Sequence, residues 1–147
     1  MGTWGPLPFD SDSAQDLIDF MAKRSDAERR VAFHEIFDGA LRLGDDDVDV
    51  FADDVVAAAT MIAMSVPGGT QRLGEEIAAQ EATAAVVSGL DVGLAGEALT
   101  ALDAMRVPGN DWFDTWIEED ADGETARAVQ AIADVLRDFI AAGGPLR

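Results

Sequence analysis

Apolar residues recur at the helical period along most of the chain. The clearest case is the carboxyl-terminal segment, in which one face of a helix is apolar throughout. Its members are Val129, Ile132, Ala133, Leu136, Phe139 and Ile140. Residues 47–65 are apolar on two sides, which predicts a central helix. Sustained alternation of apolar and polar residues, the mark of a strand, is absent from the sequence. The pattern predicts an all-α protein.

Glycine, proline and capping residues divide this pattern into helices. Ser25 followed by Glu28, for example, has the spacing of a capping box at a helix start. We expect one domain over residues 1–147, a compact bundle of six or seven helices with a docked amino-terminal arm, 1–12. The helices are predicted at residues 13–23, 26–42, 47–65, 73–87, 94–106, 111–119 and 124–142.

Charge and composition restrict the classes of partner. The chain has 29 acidic and 10 basic residues, a net charge of -19 and no cysteine. Phosphate repels such a surface, so we expect no nucleic-acid partner. Thiol chemistry and disulfides are excluded. A membrane span needs about 18 or more consecutive apolar residues, which this sequence lacks. We therefore expect a cytoplasmic protein without membrane contact, and the sequence leaves its oligomeric state open.

Two blocks of carboxylates are candidates for binding a basic protein. The first block is Asp45, Asp46, Asp47, Asp49, Asp53 and Asp54, and the second is Asp111, Asp114, Glu118, Glu119, Asp120 and Asp122. The alternative is structural, because both blocks precede predicted helices. Carboxylates in a first helical turn are stabilised by the helix dipole by about 0.3–1 kcal/mol each.

The second block also has part of the spacing of a calcium-binding EF-hand loop. Glu118, Asp120, Asp122 and Gly123 match loop positions 1, 3, 5 and 6. Position 12 requires a bidentate glutamate, but Val129 occupies it. The first block fails the same test. Counted from Asp45, loop position 6 is Val50 and loop position 12 is Val56. We expect no metal site at either block.

Catalytic motifs are missing from the sequence. His34 is the single histidine and has Asp38 one helical turn later, so the pair could serve as metal ligands or as a general base. We favour a packed or half-exposed structural histidine, because His34 borders the apolar face that contains Phe37. Neither a nucleophile motif nor a glycine-rich phosphate loop is present. We assign no catalytic residue and no cofactor. Trp112 and Trp116 are either core residues or a binding anchor.

The amino terminus M-G-T-W-G-P-L-P-F-D-S-D-S-A resembles that of a bacterial family of uncharacterised small acidic domains with the pattern M-G-x-W-G-x-G-x-F-D-x-D-x-A. The matching residues are Met1, Gly2, Trp4, Gly5, Phe9, Asp10, Asp12 and Ala14. Leu7 departs from the pattern where the family has glycine. The resemblance implies a helical, cytoplasmic bacterial protein and supplies no catalytic residue.

Two classes of function follow from these observations. The leading hypothesis is a non-catalytic interaction protein of the immunity or anti-effector type, whose acidic surface binds a basic protein. The alternative is a helical domain that uses its carboxylates as a divalent-metal enzyme or binds a small ligand.

The amino-terminal arm gives a direct test. We expect Trp4 to dock on the domain, with Phe9 packing at the start of the first helix. Trp4→Ala should then lower the free energy of unfolding by about 3–5 kcal/mol, because it truncates a buried aromatic side chain. Denaturant unfolding measures this change. A midpoint equal to that of the wild type would show that the arm is undocked and assign Trp4 to an interface.

Overall fold

The computed structural model describes residues 12–40, 52–74, 77–78, 80–88, 90–105 and 123–143. These residues form helices, turns and short connections, and no strand occurs among them. The α-helices are α1 (Asp12–Ala22), α2 (Asp26–Ala40), α3 (Ala52–Ser65), α4 (Gly69–Leu73), α5 (Val92–Met105) and α6 (Glu124–Ala141), with a 3₁₀ helix over Gln80–Ala85. The prediction of an all-α fold is confirmed.

Helix α3 occupies the centre of the bundle. Every residue from Val55 to Met64 is at most 5% exposed. The helix contacts α1, α2, α4, α5, α6 and the 3₁₀ helix. An all-round apolar helix requires such a position, as the sequence predicts. Thr60 is the one buried polar residue in the described ranges, and its hydroxyl donates a 2.7 Å hydrogen bond to the Val56 carbonyl.

The outer helices pack on α3 through the apolar faces that the sequence predicts. In α6, Val129, Ile132, Ala133, Leu136 and Phe139 are buried, and Ile140 is partly buried. Helix α6 packs against α4 and α5, and α5 also contacts α2. Within the described ranges, no helix has the length and apolar character needed to cross a membrane.

The prediction of one helix over residues 73–87 is wrong. The backbone leaves the helix at Gly74, which has a φ of 82° and a ψ of 164°. Glycine adopts this backbone conformation readily. Its N–H closes α4 by donating to the Thr70 carbonyl at 3.1 Å. A 3₁₀ helix then begins at Gln80. Alanine favours the helix, but here Ala82 and Ala85 are small buried residues of a segment that packs on α1 and α3.

Three other expectations fall partly or wholly outside the described residues. They are the docked arm 1–12, of which Asp12 alone is described, the helix over 111–119, and the start of the third helix at residues 47–51.

The turn between α3 and α4 requires glycine for close packing. A β-carbon built on Gly69 would lie 2.0 Å from the Ala63 carbonyl oxygen. No atom lies within 4 Å of a β-carbon built on Gly96, in α5. The two glycines therefore form a matched pair, one packed and one with space above it.

We expect Gly69→Ala to lower the free energy of unfolding by about 1–3 kcal/mol, the usual penalty for overpacking. Gly96→Ala should raise it by about 0.5–1 kcal/mol, because alanine is the better helix residue. Urea unfolding of both variants measures the two changes. Equal midpoints would contradict the close approach at Gly69.

Candidate functional site

A groove between α2 and α5 is the best candidate site among the described residues. Its volume is about 360 Å³, and it is lined by His34, Phe37, Asp38, Gly96, Glu97 and Thr100. The α2 members are spaced i, i+3 and i+4, which places them on one face of that helix. The α5 members are one turn apart or adjacent, and they face α2 across the groove.

His34 lies at the rim of this groove and pairs with Glu97. The His34 Nδ1 atom contacts the Glu97 Oε1 atom, joining α2 to α5. The His34 side chain is 64% exposed and that of Glu97 39% exposed. His34 is therefore more exposed than the packed or half-exposed residue that we expected from its position beside the apolar face. Its partner comes from the facing helix, 63 positions away.

The floor of the groove is apolar and rigid. Phe37 is 2% exposed and stacks on the fully buried Phe33, with ring centroids 6.1 Å apart and an interplanar angle of 13°. On the opposite wall, Gly96 leaves space that any other residue would occupy. The groove combines a fixed aromatic base with polar groups along its rim.

The lining includes two carboxylates. Asp38 and Glu97 contribute them, His34 contributes an imidazole and Thr100 a hydroxyl, and none of the described residues that line the groove is a lysine or an arginine. Such a lining attracts cations and repels anions. In the part of the chain that the structure describes, no three histidine or acidic side chains are placed to hold a metal ion together.

A hydrogen-bonded cluster at the start of α2 fixes the position of α5 relative to α2. The Arg29 guanidinium donates to the carbonyls of Met21 at 2.7 Å, Ala22 at 3.4 Å and Val86 at 2.9 Å. Arg29 thereby binds carbonyls at the end of α1, where the Met21 carbonyl also accepts from the Arg24 N–H at 3.0 Å. It also binds Val86, which follows the 3₁₀ helix.

Arg30 and Asp26 extend this cluster to the start of α5. Arg30 contacts Asp26 at 3.0 Å and Asp91 at 3.3 Å. The Ser88 backbone N–H donates to Asp26 at 2.7 Å. We call Asp26, Arg29 and Arg30 the arginine clip. It holds Val86, Ser88 and Asp91, the last of which directly precedes α5.

These contacts shift the titration of two carboxyls. The Ser88 N–H, with help from Arg30, holds the pKa of Asp26 below its ordinary value. The backbone N–H of Ser25 likewise lowers the pKa of Glu28. Ser25 and Glu28 exchange hydrogen bonds of 3.0 and 3.2 Å. The predicted capping box is thus present at the start of α2.

Most carboxylates that we selected from the sequence lie outside the described residues. These are Asp45, Asp46, Asp47, Asp49, Asp111, Asp114, Glu118, Glu119, Asp120 and Asp122. Trp4, Phe9, Trp112 and Trp116 are also outside. Asp53 belongs to α3, but its side chain is not among those described. Asp54 is half-buried and accepts a 2.6 Å hydrogen bond from the Ser13 hydroxyl, so it joins α1 to α3.

The family model of a domain of unknown function, DUF4259, matches residues 2–129. The chain belongs to the DUF4259 family. The matched range contains both helices of the groove and the whole arginine clip. In the comparisons with curated proteins and with solved structures, nothing matches the chain.

Three groove residues of this DUF4259 chain were not predicted from the sequence: Gly96, Glu97 and Thr100. No local pattern singles them out, because their significance comes from the facing helix. The single histidine was the available signal, since an exposed imidazole commonly finds a carboxylate partner. Sequence spacing pointed to Asp38 as that partner, whereas the structure pairs His34 with Glu97.

The arginine clip predicts a pH-dependent contribution to stability. The folded-state pKa of Asp26 lies below its ordinary value of 3.8, so its ionised form stabilises the fold above about pH 4. That contribution is lost as pH falls through the lowered pKa. The Asp26 side chain is 41% exposed, which limits its salt bridge to less than about 1 kcal/mol.

Asp26→Asn should therefore lower the free energy of unfolding near pH 7 and have a smaller effect near pH 3. Urea unfolding at both pH values measures the difference, with Asp16→Asn on the exposed face of α1 as the control. If Asp26→Asn lowers the free energy of unfolding by the same amount at both pH values, the contribution of the contact does not depend on the charge of Asp26.

Proposed function

We propose that this DUF4259 protein is a non-catalytic interaction module of the immunity or anti-effector type, whose acidic surface binds a basic protein. The observation that carries the proposal is how the chain uses its own cations. Arg29 binds backbone carbonyls, and the Arg24 guanidinium lies 3.8 Å from the centre of the Phe20 ring. Arg30, Arg72 and Arg137 each pair with aspartates of this chain.

The carboxylates outnumber these cations and many are exposed. Exposed acidic residues lie on four helices of the described part: Asp12, Asp16, Asp19, Glu28, Glu35, Asp38, Asp103, Asp134 and Asp138. The net charge of -19 is what remains after all 10 basic residues are counted. It is therefore uncompensated within the chain. A basic partner would supply the missing positive charge.

Charge of this size acts chiefly on the rate of association. A uniform acidic field steers a basic protein into contact and raises the association rate more than the affinity. The two acidic blocks remain our candidates for the contact surface. The proposal is non-catalytic because the sequence lacks nucleophile and phosphate-binding motifs. The described residues contain no group of three or more metal ligands that would support the metal-enzyme alternative.

We further propose that the protein acts in the bacterial cytoplasm. Nine arginines against one lysine, together with abundant alanine, are typical of proteins encoded by GC-rich bacterial genomes. Fractionation of the native cell tests this setting.

The decisive experiment is capture of the partner from the native cell by the tagged full chain, followed by binding kinetics with the purified partner. We expect a basic protein whose association rate falls steeply when salt rises from about 50 to about 500 mM, because salt screens surface charge. A partner without excess positive charge, or binding insensitive to salt, would contradict the proposal.

Two charge variants locate the contact surface. In one, Asp45, Asp46, Asp47 and Asp49 are replaced by asparagine; in the other, Asp111, Asp114, Asp120 and Asp122 are replaced. The variants remove the same number of charges. We expect one of them to slow association more than the other. Equal effects would mean that the overall field acts, without a localised surface.

A further inference from the structure

We propose that the groove between α2 and α5 binds a guanidinium group, carried by an arginine side chain of the basic partner. This inference rests on the proposed function and deepens it. It names the place on the acidic surface where a side chain of the partner inserts, and the chemistry that recognises it.

The volume of the groove fits one inserted side chain. At about 360 Å³, it lies at the lower end of the usual range for small-ligand sites, about 300–1,000 Å³. Gly96 creates part of this space, since a β-carbon there would meet no atom within 4 Å. Glycine destabilises a helix interior relative to alanine, so Gly96 leaves this space open at a cost to helix stability.

The lining combines charge and apolar surface in the way an arginine requires. Asp38 and Glu97 stand on opposite walls and provide carboxylate acceptors, and the Thr100 hydroxyl can also accept. Phe37 lines the groove but is only 2% exposed, so it offers the alkyl stem a small apolar contact. Among the described residues, the charged groups that face the occupant are the Asp38 and Glu97 carboxylates, and the His34 imidazole pairs with Glu97.

Guanidinium fits this arrangement better than ammonium does. It has five N–H donors in a planar fork, which can bind carboxylates on two sides at once. Hydrogen bonds between ionised partners are also roughly twice as strong as neutral ones. Lysine offers a compact charge with stronger hydration, so it should bind more weakly in a half-open groove.

His34 provides a direct readout, because it is the single histidine of the chain. Its ring-carbon proton resonances report on the groove by NMR without assignment of the remaining side chains. The probe is a short peptide with one arginine flanked by glycines and blocked at both ends. The matched probe carries citrulline, which has nearly the same shape without the charge.

We expect the arginine peptide to shift the His34 resonances saturably, and the citrulline peptide to bind at least about tenfold more weakly, as loss of a charged hydrogen bond predicts. Equal shifts from both peptides, or none from either, would overturn the proposal. The same shifts produced by Mg²⁺ or Ca²⁺ alone, with tighter binding than the peptide, would also overturn it and favour the metal alternative.

Two pairs of variants separate the groove from the general acidic field. Glu97→Gln removes a groove carboxylate, whereas Glu35→Gln removes an exposed carboxylate of α2 that does not line the groove. We expect about a tenfold loss of affinity for the first and less than about twofold for the second. Equal losses would overturn the proposal, because binding would then follow net charge.

Gly96→Leu fills the groove and should abolish the peptide-induced shift, while Ala27→Leu at an exposed position of α2 should preserve it. Thermal unfolding monitored by circular dichroism confirms that both variants fold. Retained binding in folded Gly96→Leu would overturn the proposal.

The captured protein partner distinguishes this inference from the proposed function. If Gly96→Leu binds the partner as tightly as the wild type, the groove is not the contact and only the proposed function survives. If the wild type binds no basic protein, the proposed function fails. The proposal that an arginine of a protein partner occupies the groove then fails as well. Weakened partner binding by Gly96→Leu, with unchanged binding by Ala27→Leu, supports both.

Discussion

The burial of α3 from Val55 to Met64 is the constraint on which the described fold depends. A helix with no exposed face from Val55 to Met64 must be surrounded, and five other α-helices and the 3₁₀ helix surround it. Its alanines let these neighbours approach closely, which leaves little room for larger residues. Close packing also requires glycine at position 69, because the chain there lies against the Ala63 carbonyl of α3. Among the described residues, no charged side chain is buried in this core.

The groove is a product of this arrangement. Helices α2 and α5 both pack on α3 and on each other, and the groove lies between them. The buried Phe33 and Phe37 pair anchors α2, and the arginine clip fixes the approach to α5. Rigid elements thus carry the polar groups at the rim, which is the usual condition for a specific site.

The parts of the structure that were predictable are those that local pattern determines. The apolar period predicts the core faces of α3 and α6, and the Ser25 and Glu28 spacing predicts the start of α2. The alanine content of residues 73–87 led to the wrong prediction of one helix there. A small residue suits a helix and a tightly packed irregular segment equally well. The role of Glu97 could not be predicted from a local pattern, because its partner His34 lies 63 positions away on α2.

The arginine clip has a consequence for local opening of the fold. One guanidinium binds carbonyls of Met21, Ala22 and Val86, segments that are distant in the sequence. Because all three bonds come from one side chain, a rotation of the Arg29 side chain would release both segments together, and the two should then open as one cooperative unit. Amide hydrogens at the end of α1 and near residue 86 would then exchange with solvent at a common rate. An occupant of the groove, by holding α5 against α2, would slow that exchange at the end of α1, a place it never touches.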